Sequence, residues 1–180
     1  MGEVGAVEQS QAKTDETSIS TSDLDPKFKY EVAEEPGGEN IKVCFSCGIC
    51  TAGCPVSEID PDYNPRRIVR MILLGMREQV LSSDFIWLCT LCYTCYARCP
   101  QNVKFTDVMG ALRNMAVREG HVHASFLERV EQIDHLAQQL RHDLLLKALP
   151  GKGGEEALSR SDSREALERL LDGEKDCVDG

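Results

Sequence analysis

At 180 residues, 42% of them hydrophobic, the chain has room for one domain plus tails. Its net charge of −10 argues against a nucleic-acid partner, whose phosphates would repel it. No apolar run reaches the roughly 18 residues of a membrane helix, and the opening MGEVGAVEQSQAKTDETS lacks the basic-then-apolar order of a secretory signal. The expectation is a cytoplasmic chain with no membrane span, whose nine cysteines stay reduced instead of pairing as disulfides.

Residues 1–25 are rich in Ser, Thr, Glu, Gln and Gly and read as a disordered acidic tail. In PKFKYEVAEEPGGENIKV, residues 26–43, the alternation of Phe28, Tyr30 and Val32 predicts an extended arm over 26–41 with a Pro-Gly-Gly turn. Asn64-Pro65 opens the first clear helix, with proline in the first helical position. Ile68, Val69, Ile72, Met76 and Val80 share one face of it, and Arg66, Arg70 and Arg77 share another. This helix should end near Gln79–Ser82. A second, short helix should follow Ser82 or Ser83 and run into Cys89, carrying Ile86, Trp87 and Leu88.

Thr106 is a suitable N-cap for a third helix, which Gly120 stops. Val108, Leu112, Met115 and Ala116 supply its buried side. The spacing of Phe126, Val130, Ile133, Ala137, Leu140 and Leu144 predicts a fourth over 124–148. That stripe packs on the core or, if the core is too small to cover it, docks a partner. Residues 149–180 read as a linker and acidic tail, with a short amphipathic helix at 163–172. No segment has the character of a long strand, so the expected fold is all-α, with one domain over 42–148.

Within that domain one pattern occurs twice. CFSCGICTAGCP, residues 44–55, and CTLCYTCYARCP, residues 89–100, both read C-x₂-C-x₂-C-x₃-C-P. Such runs hold [4Fe–4S] clusters in two-cluster ferredoxins. Three cysteines at steps of three wrap one turn of chain around three corners of a cubane. The fourth corner faces away, so a more distant cysteine must reach it, and the proline turns the chain off there. In the two-cluster arrangement the fourth cysteine of each run serves the other cluster. That predicts Cys44, Cys47, Cys50 and Cys99 around cluster one, and Cys89, Cys92, Cys95 and Cys54 around cluster two. The 34 residues between Cys54 and Cys89 would be stapled onto the core. Structural zinc is the alternative for eight thiolates, but zinc ligands come as separated pairs and not as triplets with a distant fourth.

Charge along the chain fits a site that carries negative charge. Residues 1–41 hold ten acids and three bases, and 121–180 hold thirteen and eight. The cysteine-bearing stretch 42–120 reverses the balance, with seven acids and nine bases. Gly48 and Gly53 let the first run approach sulfur closely with positive φ. Arg98, in the second run, would raise the potential of a cluster beside it or simply lie in solvent. Trp87, Tyr93 and Tyr96 read as packing around a cluster, His121 and His123 as surface residues, and Cys177 as a free thiol. Gly151-Lys152-Gly153-Gly154 lacks the spacing of a phosphate loop.

At PGGENIKVCFSCGICTAGCPV and WLCTLCYTCYARCPQNV the sequence resembles the C subunit of heterodisulfide reductase, over residues 36–145. The resemblance implies a helical ferredoxin with two [4Fe–4S] clusters, related to the C-terminal half of succinate dehydrogenase iron–sulfur subunits. It implies an electron wire from a flavin-containing A subunit to a disulfide-cleaving B subunit, with no catalytic residue of its own. The disulfide would be one such as that of coenzyme M with coenzyme B. A free ferredoxin-like carrier, or the relay of another quinone- or sulfur-linked oxidoreductase, is the other reading of the same motifs. The acidic N-terminus and the stretch after residue 148 lie outside the resemblance.

Overall fold

The computed structural model describes residues 20–149. Expectations for residues 1–19, for the stretch from residue 150 onward, for the helix at 163–172 and for Cys177 lie outside the described residues. Within them the chain forms α-helices and short 3₁₀ turns and no strand, the expected all-α class.

The first departures come at the N-terminal end. Residues 20–25, expected to be disordered, hold a 3₁₀ turn at Thr21–Asp23. The Asp25 N–H donates to the Gly75 carbonyl at 2.7 Å. The expected extended arm over 26–41 is instead a helix, α1 (Phe28–Glu34). Phe28 and Val32 stand one helical turn apart and are both fully buried, while Tyr30 points outward beneath the Lys42 ammonium. Apolar residues at 28, 30 and 32 imitate a strand, but burying 28 and 32 together on one helix face removes more apolar surface from water.

After a 3₁₀ turn at Ile41–Val43 come two short helices, α2 (Ile49–Ala52) and α3 (Pro55–Ile59). The helix expected from Asn64 to Gln79–Ser82 is two helices, α4 (Pro65–Leu74) and α5 (Arg77–Leu81). Asn64 caps α4, its Oδ1 accepting from the Arg67 N–H at 3.0 Å. Gly75 ends it at φ +83°, and a side chain there would meet the Asp25 carbonyl oxygen at 2.2 Å. The apolar stripe survives the break: Ile68, Val69, Ile72 and Val80 are all buried.

The arginine face does not survive it. Arg77 turns to Asp25, Glu31 and Glu119, with nitrogen–oxygen distances of 3.1, 2.7 and 2.7 Å. Those hydrogen bonds, the one to Glu119 first, hold its guanidinium firmly charged despite some burial. One side chain thereby ties together the N-terminal segment, α1, α5 and the end of the next long helix.

The second predicted helix shrinks to a 3₁₀ turn at Asp84–Ile86. α6 (Thr94–Arg98) lies in the second cysteine run, and α7 (Phe105–Arg118) forms the centre of the fold. α7 packs against α1, α5, α6 and the Asp84–Ile86 turn, burying Val108, Met109, Leu112, Met115 and Ala116. It does not begin on a Thr106 cap. Lys104 occupies the cap position in a left-handed conformation, and Thr106 is buried in the first turn. Gly120 ends the helix region as expected, at φ +81°.

α8 (Ser125–Ala148) appears over the predicted span. Its first turn engages the body, where Phe126 meets Trp87 edge-to-face at 4.9 Å. Ile133 and Leu144, 46% and 57% exposed, show that the stripe does not pack on the core along its length. His123 is exposed, while His121 is half-buried between Glu78 and Glu119.

Candidate metal centre

Both cysteine runs follow one backbone path. Ser46 and Gly48 in the first, and Leu91 and Tyr93 in the second, sit two and four residues after the leading cysteine. All four have positive φ, at 59°, 86°, 50° and 59°. Left-handed steps reverse the chain between successive cysteines, so that their side chains converge. For three residues with a Cβ this costs about 1–2 kcal/mol each, strain of the kind that collects at functional sites. Glycine supplies the conformation in one of the four positions; Gly53, expected to share that role, has φ −117°.

The third cysteine of each run, Cys50 or Cys95, then rides on α2 or α6, and these two helices pack together. Cys54 precedes Pro55 at the start of α3, and Cys99 ends α6 in an extended conformation. Each proline therefore stands where the chain leaves the site.

The eight thiols surround two cavities. The first is lined by Cys44, Cys47, Cys50, Cys99 and also Cys95. The second is lined by Cys54, Cys89, Cys92 and Cys95. Thus each fourth cysteine lies with the leading three of the opposite run. Cys95 and Phe105 border both cavities, so the two share a wall. Among the described residues no three His, Cys, Asp or Glu side chains close on a single-ion position. The thiols stand around volumes, which suits a polynuclear centre whose irons each take one thiolate.

Hydrogen-bond donors surround the sulfurs. The Ser46 N–H donates to Cys44 Sγ and the Val103 N–H to Cys99 Sγ, each at 3.4 Å. Burial pushes the Cys50, Cys89 and Cys95 thiols up in pKa. Cys92 goes the other way: its modest burial is outweighed by hydrogen bonds from Thr94 and Thr90, and its thiol is lowered.

Three neighbours of the site are not among the site residues expected from the sequence. Tyr63 is buried and lines the second cavity beside Cys89; burial and the surrounding sulfurs keep its phenol protonated. Thr106, expected only as a cap, places Oγ1 3.3 Å from Cys95 Sγ. Arg113, 5% exposed on α7, donates Nε to the Ile86 carbonyl at 2.9 Å and Nη2 to the Cys89 carbonyl at 2.8 Å. It fixes the stretch of chain that delivers Cys89. Only Tyr63 has a local hint, its position just before the Asn64-Pro65 helix start.

The candidates from the sequence are placed variously. Arg66 lines the first cavity, and Arg98 sets Nη1 against Gly53, beside Cys54. Tyr93 and Tyr96 stack edge-to-face at 5.9 Å, with Tyr93 half exposed. Trp87 packs between Phe126 and the Arg113 guanidinium. Phe45, Ile49 and Leu88 are exposed apolar residues beside the cysteine runs.

The family model for a 4Fe–4S dicluster domain matches residues 40–103. The chain is 41% identical to the iron–sulfur C subunit of the CoB–CoM heterodisulfide reductase of Methanopyrus kandleri, over 59% of each chain. It is 36% identical to the C subunit of the H₂:CoB–CoM heterodisulfide, ferredoxin reductase of Methanothermobacter marburgensis, over 59% of this chain and 56% of that one. It is 42% identical to the C subunit of the ferredoxin:CoB–CoM heterodisulfide reductase of Methanosarcina mazei, over 54% of this chain and 62% of that one. The matches thus span less than two thirds of these relatives' own lengths. Donor set, cavities and matched segment agree on two [4Fe–4S] clusters. Residues 40–103 match the 4Fe–4S dicluster domain, and over a little more than half its length the chain is similar to C subunits of heterodisulfide reductase.

Proposed function

We propose that this chain relays single electrons within a heterodisulfide-reductase-type complex, from a flavin-containing A subunit to a disulfide-cleaving B subunit. The observation that carries the reading is the shared wall: two thiol-lined cavities in contact through Cys95 and Phe105. Two centres held that close suit transfer between them. The names of the relatives, each the C subunit of a heterodisulfide reductase, support partner subunits.

In this reading Cys44, Cys47, Cys50 and Cys99 hold one cluster, and Cys89, Cys92, Cys95 and Cys54 hold the other. The clusters supply one-electron carriage when bound. The protein supplies thiolates, N–H donors at Cys44 and Cys99, and the fixed cation of Arg113. Cys47 and Cys92 are the exposed member of each set and mark where electrons enter and leave. Near Cys47 stand Phe45 and Ile49, and near Cys92 stand Leu88 and Tyr93, apolar surface of the kind a partner covers. A reducing, cytoplasmic setting would keep all eight thiols available.

A freely diffusing ferredoxin-like carrier is the competing reading. The uncovered stripe of α8 favours a fixed complex, because a lone carrier gains nothing from exposing Ile133, Leu144 and Leu145. Anaerobic affinity purification from the native host decides it. Co-elution with a flavoprotein and a second, cysteine-rich protein is expected; a stable lone monomer would refute the relay within a complex.

A further inference from the structure

The repeated spacing makes the two cavities look equivalent, but their hydrogen-bond donors differ in kind: the backbone N–H groups of Ser46 and Val103 serve sulfurs of the first. Hydroxyls converge on the sulfurs of the second cavity. Tyr63, 2% exposed, reaches in from the loop before α4 and lines the cavity together with Cys89. Thr106, equally buried, stands 3.3 Å from Cys95 Sγ. Thr94 Oγ1 lies 3.5 Å from Cys92 Sγ. The positions matching Thr90 and Thr94 in the first run are Phe45 and Ile49, which have no hydroxyl.

The first cavity has a hydroxyl nearby, but its proton is already used. Thr51 stands beside Cys50. Its Oγ1 donates to Asn64 Oδ1 at 2.9 Å and accepts from the Arg66 N–H at 3.0 Å. A hydroxyl has one proton to give, and Asn64 Oδ1, an acceptor already bound by the Arg67 N–H, takes it. The cations differ in the same sense. Arg113 is buried beside the second cavity, whereas Arg66 at the first is exposed, where water and salt screen it.

Reduction adds negative charge to a cluster and makes its sulfurs better acceptors. A hydrogen bond to sulfur therefore strengthens on reduction, and strengthens more in a dry cavity. We infer that the hydroxyls of Tyr63 and Thr106 hold the potential of the cluster at Cys54, Cys89, Cys92 and Cys95 above that of its neighbour, so that an electron shared by the pair rests at the second site. This deepens the relay reading and rests on its ligand assignment. It gives the wire a downhill end at Cys92, the exposed member of the second set.

The test is potentiometric electron paramagnetic resonance on the full chain, purified anaerobically, with iron counted in every sample. Tyr63→Phe and Thr106→Val should each make one cluster harder to reduce. At a fixed poise its reduced-to-oxidised ratio should fall about tenfold, a shift of about 59 mV. The other cluster should not move and the iron content should not change. Thr106→Ser, which keeps the hydroxyl, should restore the wild-type potential, as a purely steric role would not. Full iron content with both potentials unmoved, or with both moving together, would overturn the inference while leaving the relay standing. Should Tyr63→Phe lose iron, the Thr106→Val and Thr106→Ser pair decides on the same terms. A wild-type chain holding about four irons, not about eight, would overturn both the inference and the reading beneath it.

Discussion

Arg113 shows how a single residue can support a metal site without touching metal. Its guanidinium binds the carbonyls of Ile86, Trp87 and Cys89 from inside the core and stacks on the Trp87 ring. Those carbonyls have turned away from helix geometry so that Cys89 can face the cavity. Replacing Arg113 with Met keeps most of the bulk and removes the donors. Leaving buried acceptors unpaired costs about 1–3 kcal/mol each, so Arg113→Met should lower stability by at least about 2 kcal/mol, read by denaturant titration of the loaded protein under anaerobic conditions. A loss under about 0.5 kcal/mol, the range of an ordinary surface change, would contradict this role for the side chain. Residues of this kind are not legible in a sequence. Nothing near Arg113 in the chain indicates that it will meet carbonyls from the Asp84–Ile86 turn. Thr106 stands out in the sequence, but its role does not. Its place before an apolar run suggests a cap, and packing instead turns its hydroxyl to Cys95. The cysteines are the opposite case, because their spacing encodes a local loop shape repeated in both runs.

The elements of the fold are set by where chain reversals can occur. Asn64 and Pro65 start α4 by purely local chemistry, so that boundary is readable in the sequence. The break at Gly75 is not, because the apolar stripe continues across it and the reason for the break is Asp25, far away in sequence. Gly75→Ala must both hold a left-handed backbone, at about 1–2 kcal/mol, and displace the Asp25 carbonyl. It should destabilise the protein by at least about 2 kcal/mol and loosen the Asp25 contact with Arg77. An alanine variant as stable as the parent, by thermal melt, would show that the junction is not constrained in this way. α1 defeats local reading for a related reason: three alternating apolar residues fit a short strand until the core claims Phe28 and Val32 together. α8 is legible as a helix, but its surroundings are not. Since its length beyond Val130 contributes little to the body, a chain ended after residue 130 should keep its iron content and its melting behaviour. The same truncation should lose co-purifying partners. Loss of iron on truncation would place α8 in the fold instead of at an interface.

At the scale of the molecule, a helical core and a metal-binding layer are joined through α7 and its neighbours. The core of Phe28, Ile41, Ile72, Leu112 and Met115 is contiguous and apolar. The layer above it consists of α2, α3 and α6, of four or five residues each. Helices this short do not persist alone in water, so the clusters must supply much of their order. Removing iron by chelation under mild oxidation should therefore expose residues 44–54 and 89–99 to proteolysis while α7 stays protected. Equal resistance of the two regions in the metal-free protein would contradict this division. The claim on which the rest depends is that the runs exchange their fourth cysteines. It is tested most directly by comparing Cys54→Ser with Cys92→Ser and Cys47→Ser by electron paramagnetic resonance of the reduced chains. The exchange predicts that Cys54→Ser perturbs the same cluster as Cys92→Ser, although Cys54 lies in the first run; a spectrum in which Cys54→Ser perturbs the cluster altered by Cys47→Ser would contradict it.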